Sequence, residues 1–462
     1  MVDLAINSFS YDSSNSVALK NIHTTFEEGS CIVLTGKSGC GKSTLLRLIN
    51  RLIPTFYKGA LDGNVVINNK NINEYSNDEL VEKIGSVFQN PSSQFFNVDT
   101  ESEIAFGCEN LGLSRKELRR RVHGTAVLLG INHLLNKSIF SLSGGEKQII
   151  AIASIYAMGV DVFLMDEPSA NLDVEATKQL ENIIGILKAN GKTVIIAEHR
   201  LHYLRHLADR LIILDKGEFV DEIHGETIKS ITTKTLHDKG LRAMVLEERM
   251  LCEATANAKT SILVENLDIG YKNLSPVIED FYECFGSGMI NGIVGRNGRG
   301  KTTFAKCLCG MLKETGGTIA INGKPYTRKK RLGKIYMVLQ NTTSQLFADS
   351  VIAELALAKR TSKEDCGYTD DEVLKMLDLL HLKIRHPMSL SGGEKQRLAI
   401  AVGIVQNAEA MVLDEPTSGL DYGNMLMVKG MLKKLKDKGK YVIVITHDQE
   451  FLTTVCDRVI EL

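Results

Sequence analysis

The sequence predicts an α/β fold written twice in one chain, and three observations predict it. A glycine loop of the phosphate-binding type occurs at residues 36–44 and again at residues 295–303, each straight after an apolar run (31–34 and 289–294). Each copy later carries two purely apolar segments, 162–165 with 194–197 and 411–413 with 441–445. Unbroken runs of this kind suit parallel strands covered on both faces. The spacing then repeats: Ser143, Asp166 and His199 recur as Ser391, Asp414 and His447 at one offset of 248 residues, whereas Lys42 recurs as Lys301 at 259. The second copy has thus lost eleven residues between its glycine loop and its Leu-Ser-Gly-Gly stretch, the mark of shortened loops in a preserved scaffold.

A chain of 462 residues, 44% hydrophobic and 24% charged, has room for two or three globular domains. The copies divide it into a first domain at 1–223, a polar linker at 224–260 with a possible helix over 241–252, and a second domain at 261–462. A formal charge of −1 gives no basic stripe for nucleic acid. Nine cysteines without paired spacing read as reduced thiols. The N-terminus lacks the regions of a signal peptide, and the longest apolar stretch, 149–160, is too short to span a bilayer. A role at a membrane would need another chain to cross it.

Within each copy the elements follow in order. A strand-like segment ends in a tyrosine, Tyr11 or Tyr271, before the glycine-loop strand, and in the first copy a leucine-rich helix follows the loop over 45–52. Alternating segments at 63–68 and 317–322 read as β-strands. Gln89 and Gln340 each follow an apolar strand, and the charged stretch 114–124 reads as a solvated helix. The first copy continues through the turn at 215–217, whereas the second stops at Leu462: either the natural protein is short here or a terminal hairpin is absent.

The chemistry-bearing residues are local to these elements. Gly36, Lys37, Ser38, Gly39, Cys40, Gly41, Lys42, Ser43 and Thr44 let the backbone curl round a polyphosphate, as do Gly295, Arg296, Asn297, Gly298, Arg299, Gly300, Lys301, Thr302 and Thr303. The lysine offers a point charge to the β- and γ-phosphates, and Ser43 or Thr302 offers a hydroxyl to Mg²⁺. Apolar strands end in Asp166-Glu167-Pro168 and Asp414-Glu415-Pro416. Adjacent carboxylates there can divide labour, one ordering the metal's water and the other facing the attacking water. His199 and His447 close the next strand, within reach of the same phosphate. Ser143, Gly144, Gly145 and Glu146, and likewise Ser391, Gly392, Gly393 and Glu394, form a second phosphate-reading device of hydroxyl, bare amides and helix N-terminus. His199, His202 and His206 share a face, but their spacing alone does not make a metal site.

In this order the residues resemble, twice, the ATP-binding-cassette (ABC) ATPases: adenine-stacking tyrosine, Walker A, Q-loop, signature, Walker B, D-loop and switch histidine. The resemblance implies two P-loop NTPase domains, each with a mostly parallel core sheet, a small antiparallel β subdomain and a helical signature subdomain. It also implies ATP and Mg²⁺ bound in two head-to-tail composite sites. The first would use Tyr11, the loop 36–44, Gln89, Asp166, Glu167 and His199 against Ser391 to Glu394. The second would use Tyr271, the loop 295–303, Gln340, Asp414, Glu415 and His447 against Ser143 to Glu146. Ser43, Gln89 and Asp166, or Thr302, Gln340 and Asp414, would hold Mg²⁺, and Glu167, His199, Glu415 and His447 would be catalytic.

The segments 89–96, 340–347, 103–107 and 197–200 further resemble the ATPases of energy-coupling-factor importers. That subgroup implies uptake of a vitamin or metal ion at the cytoplasmic face of the cell membrane. The partners would be a transmembrane coupling subunit and a substrate-binding membrane subunit docked near each Q-loop, with no nucleic acid. Two alternatives are a soluble tandem cassette acting on ribosomes or nucleic acid, and the fused ATPase of a sugar importer. The short linker, neutral charge and lack of heptads weigh against the first, and the complete second site against the other. Three departures bear on symmetry: Arg299 and Ile149 fall on the second composite site and Arg200 on the first. They predict unequal hydrolysis at the two sites.

Overall fold

The computed structural model describes residues 1–13, 16–246, 261–271, 275–361, 365–417 and 419–462. The chain divides into two units, Met1–Val245 and Leu246–Leu462.

In the first unit, a six-stranded sheet runs in the order Glu218–His224, Arg210–Asp215, Cys31–Gly36, Thr193–Ala197, Val162–Asp166, Ile84–Val87. All neighbours pair in parallel except the Glu218–His224 edge. The apolar strands predicted to be covered on both faces are. Cys31, Val33, Phe163, Met165, Val194 and Ile196 enter one core, and Ile32, Leu34, Val162, Leu164, Ile195 and Ala197 enter the other. The first core is closed by the helices Thr100–Asn110, Arg115–Leu128 and Gly144–Met158, which form the helical subdomain. The second is closed by the helix Lys42–Ile49 and a four-stranded antiparallel sheet, Val17–Phe26, Val2–Tyr11, Gly59–Ile67, Lys70–Asn71.

The second unit repeats this plan with an all-parallel five-stranded sheet, Ile335–Val338, Ala410–Asp414, Tyr441–Ile445, Met289–Val294, Arg458–Glu461. It again has a four-stranded antiparallel sheet, and the helices Val351–Thr361, Asp370–Met376 and Gly392–Val405. Among the described residues, nothing in its sheet takes the place of the antiparallel edge strand of the first.

The stretch expected to be a linker from residue 224 departs from expectation. It carries two short helices, Gly225–Ser230 and Thr233–Asp238, and Ile228, Leu236, Leu241 and Met244 are buried in the first core. The first unit therefore extends past 223 to Val245. Its apolar residues are too widely spaced to show a helical period, so only tertiary burial reveals them. Residues 241–246 are not helical, and the rest of the helix expected at 241–252 lies outside the described residues.

In each parallel sheet the strands end together. Gly36, Asp166 and Ala197 lie at one carboxyl edge, and Val294, Asp414 and Ile445 at the other, the edge where open α/β sheets place their ligands.

Candidate functional site

The glycine loop of the first unit joins the strand Cys31–Gly36 to the helix Lys42–Ile49. Gly36 has φ +145°, and a Cβ there would stand 2.1 Å from the Leu214 carbonyl oxygen. Gly295 repeats the arrangement at φ +148° against Leu462. Only glycine brings the loop this close to the neighbouring strand. Lys42 is buried, and its Nζ folds back over the loop to the carbonyls of Gly36 (3.1 Å) and Lys37 (3.2 Å). Lys301 does the same with Gly295 (2.7 Å) and Arg296 (2.9 Å). The loops differ most in burial at one position: Cys40 is buried with its Sγ 3.7 Å from Lys42 Nζ, whereas Arg299 is exposed.

Ser43 Oγ donates to Asp166 Oδ1 at 2.9 Å, and Thr302 Oγ1 donates to Asp414 Oδ2 at 2.8 Å. Burial pushes both aspartates up from the usual carboxylate range. A hydroxyl beside a single carboxylate fits Mg²⁺, which takes oxygen ligands and keeps waters and phosphate oxygens rather than an all-protein cage. The described residues contain no cluster of three or more His, Cys, Asp or Glu able to enclose a metal.

Glu167 and Glu415 turn out of the sheet in the left-handed region, at φ 46° and φ 50°, each with its N–H bonded to the next strand's last residue (2.8 Å). A non-glycine residue pays strain to sit there, which marks these positions as held for a purpose. The Glu167 carboxylate accepts from Gln89 Nε2 (2.8 Å) and faces His199 Nε2 (3.5 Å). Burial, then the negative charges of Glu198 and Asp166, push its pKa up to about 8. Burial, reinforced by Lys42 and Arg242, holds His199 well below the usual histidine range, so its ring is neutral. In the second unit, Glu415 Oε1 faces His447 Nε2 (3.7 Å), and Oε2 accepts from Thr446 Oγ1 (3.1 Å) and His447 N (3.4 Å). His447 Nε2 also meets Asn297 Oδ1 of the glycine loop (3.0 Å).

The other expected residues fall as follows. Tyr11 hydroxyl reaches Thr44 Oγ1 (3.0 Å), with its ring edge-on to Phe9. Tyr271 is exposed just past the strand Ser261–Ile269, and Gln340 is exposed just past Ile335–Val338. Ser143 and Glu146 form a capping box at the start of Gly144–Met158, and Ser391 and Glu394 another at Gly392–Val405. Gly392 has open space above it, and Gly144 has nothing nearer than the Asn171 carbonyl at 4.0 Å.

Three further sets of residues had no individual role from sequence, although Gln94, Gln345, Glu103 and Glu198 lie in the segments that carry the importer resemblance. Gln94 and Gln345 staple the segment after each Q-loop strand through both ends of their amides. Buried Glu103 accepts from the N–H groups of Phe96 (3.0 Å) and Asn97 (2.8 Å), and buried Glu354 from those of Phe347 (2.9 Å) and Ala348 (2.7 Å). Glu198, buried beside the site, binds Ser169 and Tyr203. The repeat itself carried the signal for the first two, since both glutamines and both glutamates recur.

Comparison with known proteins agrees with this geometry. The ABC transporter family pattern matches residues 19–170 and 279–418. An ABC transporter ATP-binding protein of Treponema denticola is 42% identical over all of this chain and 95% of its own length. Another from Methanosarcina mazei is 32% identical over 98% of this chain and 85% of its own. Among solved structures, RNase-L Inhibitor matches 99% of this chain and 88% of its own at 24% identity and a TM-score of 0.66. A chain from ribosome-bound archaeal Pelota and ABCE1 matches 98% of this chain and 76% of its own at 22% and 0.68. At such identities these structures speak for the fold alone. The chain belongs to the ABC transporter ATPase family, with two ATPase domains in tandem.

Proposed function

We propose that this ABC ATPase is the ATP-hydrolysing subunit, peripheral at the cytoplasmic face of the cell membrane, of an importer of the energy-coupling-factor kind that takes up a vitamin or metal ion. Each P-loop binds ATP, and the signature stretch of the other unit, Ser391 to Glu394 or Ser143 to Glu146, closes on the γ-phosphate. Lys42 and Lys301 exchange their loop carbonyls for phosphate oxygens. Glu167 and Glu415 orient the attacking water and accept its proton on a carboxylate oxygen. His199 and His447 hold the γ-phosphate through Nε2. Mg²⁺, when bound by Ser43, Gln89 and Asp166 or by Thr302, Gln340 and Asp414, offsets the charge of the phosphates.

The observation that carries the transport reading is a pair of presented phenylalanines. Phe96 is 75% exposed and Phe347 76% exposed. Their backbones are pinned by the buried carboxylates of Glu103 and Glu354, shortly after Gln89 and Gln340. Phe96 further stacks on Phe106, with ring centroids 4.9 Å apart. An aromatic ring held rigidly in water is what a partner's apolar socket needs, because little ordering cost remains for binding. No described helix is long and apolar enough to cross a membrane, so spanning falls to partner chains.

The test is expression with the neighbouring membrane-protein genes and purification in detergent. Polytopic subunits should co-purify, and Phe96→Asp combined with Phe347→Asp should release them while ATPase activity remains. Co-sedimentation with ribosomes, without any membrane subunit, would overturn the reading.

A further inference from the structure

The two units differ at the residue preceding the switch histidine. Glu198 stands in the first where Thr446 stands in the second. Glu198 is buried, and its carboxylate is filled by five donors. Oε2 accepts from Ser169 N (3.3 Å), Ser169 Oγ (2.7 Å) and Tyr203 OH (2.9 Å), and Oε1 from His199 N (2.8 Å) and Arg200 N (3.1 Å). Thr446 is equally buried, and its hydroxyl accepts from Asp448 N (3.1 Å) and lies 3.4 Å from Thr417 Oγ1, but it also has a hydrogen to give. Its hydroxyl donates to Glu415 Oε2 at 3.1 Å, and its neighbour's amide, His447 N, also reaches Glu415 Oε2, at 3.4 Å.

Both Glu198 oxygens are taken up by Ser169, Tyr203, His199 and Arg200, so position 198 turns away from Glu167, and it also captures the histidine amide that serves Glu415 in the second unit. The Glu167 carboxylate is left with Gln89 Nε2 at 2.8 Å and His199 Nε2 at 3.5 Å. Gln89 sits on the same segment that presents Phe96.

We propose that Glu198 and Thr446 are positioning residues that give the two ATPase sites different control: Thr446 anchors Glu415 to its own strand, while Glu198 hands the orientation of Glu167 to the Gln89 loop. Movement of that loop then resets the first carboxylate. This rests on the reading of Glu167 and Glu415 as the water-orienting groups.

Steady-state ATPase of the full-length chain tests it, with Glu415→Gln or Glu167→Gln used to silence one site at a time. With only the first site active, Gln89→Ala should lower kcat about tenfold. Adding Glu198→Thr should shrink that penalty to about threefold or less, with KM for ATP little changed, because the new hydroxyl takes over the hold on Glu167. With only the second site active, Thr446→Val should lower kcat about fivefold and Thr446→Ser should restore it. An unchanged Gln89→Ala penalty in the Glu198→Thr background, or full activity in Thr446→Val, overturns the proposal.

A crystal structure of the Glu198→Thr chain supplies a readout independent of turnover. The introduced hydroxyl should lie within about 3.2 Å of the Glu167 carboxylate, and a hydroxyl turned toward Ser169 overturns the proposal. Absence of ATPase activity in the unmodified chain would instead refute the underlying assignment of the carboxylates.

Discussion

The two units build the same site on differently filled scaffolds. In the first, Gly85 lies on the edge strand, where a Cβ would come within 2.1 Å of Ile155 on the signature helix. The second unit reverses the pair. Tyr336 occupies the strand position, and Gly403 on the helix makes room, its absent Cβ falling 2.5 Å from the Tyr336 ring. A similar exchange lies at the head of the helix. Ile149 is buried with Ala176 close by Gly145, where the second unit has Arg397 bonded to Asn424. In each case a change on one element is answered by a change on the neighbour it touches, as close-packed interiors demand. Around the carboxylates the exchange is not neutral. Glu198, Arg200 and Tyr203 give way to Thr446, Asp448 and Phe451, and the hydrogen bonds are redrawn. Between the copies the packing changes are matched in pairs, while the hydrogen bonds around the carboxylates have diverged.

The strongest way to break this comparison is to silence each site in turn. Glu167→Gln and Glu415→Gln should each cut hydrolysis at their own site by about 10²-fold or more, the scale of a lost general base. The residual ATPase of the two variants should differ, and equal residual rates would show that the redrawn bonds have no consequence for turnover.

Next in size are the packing exchanges. Gly403→Ile alone should destabilise the second unit by about 3 kcal/mol through overpacking, and Tyr336→Gly alone by about 3 kcal/mol through the cavity left behind. Combined, they recreate the first unit's pair, so at least half of the summed loss should be recovered in denaturant melts. Simple additivity would refute the pairing.

A smaller effect concerns pH. The Glu167 carboxyl is raised in the folded first unit from an ordinary 4.5 to about 8, first by burial and then by Glu198 and Asp166. A raised folded pKa contributes stability that is fully present below about 4.5 and is lost as pH rises toward about 8. The melting temperature of the nucleotide-free first unit should fall across that window, and Glu167→Gln should flatten the fall. A slope unaltered by the substitution would place the titration elsewhere.

The smallest effect should be shared by both units. Ser143→Ala and Ser391→Ala each remove a capping hydroxyl and should cost about 1 kcal/mol of stability apiece. A clear inequality would mean that the helix starts, too, have diverged.

Much of the site was legible because its parts are local. The glycine loop, the Asp-Glu strand ends and the Ser-Gly-Gly helix starts are fixed by backbone geometry within a few residues, and the structure places each at its strand or helix terminus. The Glu198 network was less legible. Ser169, Tyr203 and Arg200 reach it across loops, and only the contrast of Ala197-Glu198-His199 with Ile445-Thr446-His447 hinted at a difference. Residues 225–245 were illegible as domain because short helices with sparse apolar positions carry no period, yet they deliver buried Arg242 to the electrostatics of His199.

By itself the sequence determined that two α/β ATPase units occur in tandem, which loops carry the glycine turns after a strand and which carboxylates end the strands, because those features depend on neighbours in the chain. Tertiary structure alone decided where the first unit ends, which buried glutamates pin the exposed phenylalanines, and whether a strand residue or a loop residue holds each carboxylate. Those outcomes depend on which donors meet which acceptors across the fold, and a carboxylate and a hydroxyl at the same backbone position resolve that competition in opposite directions.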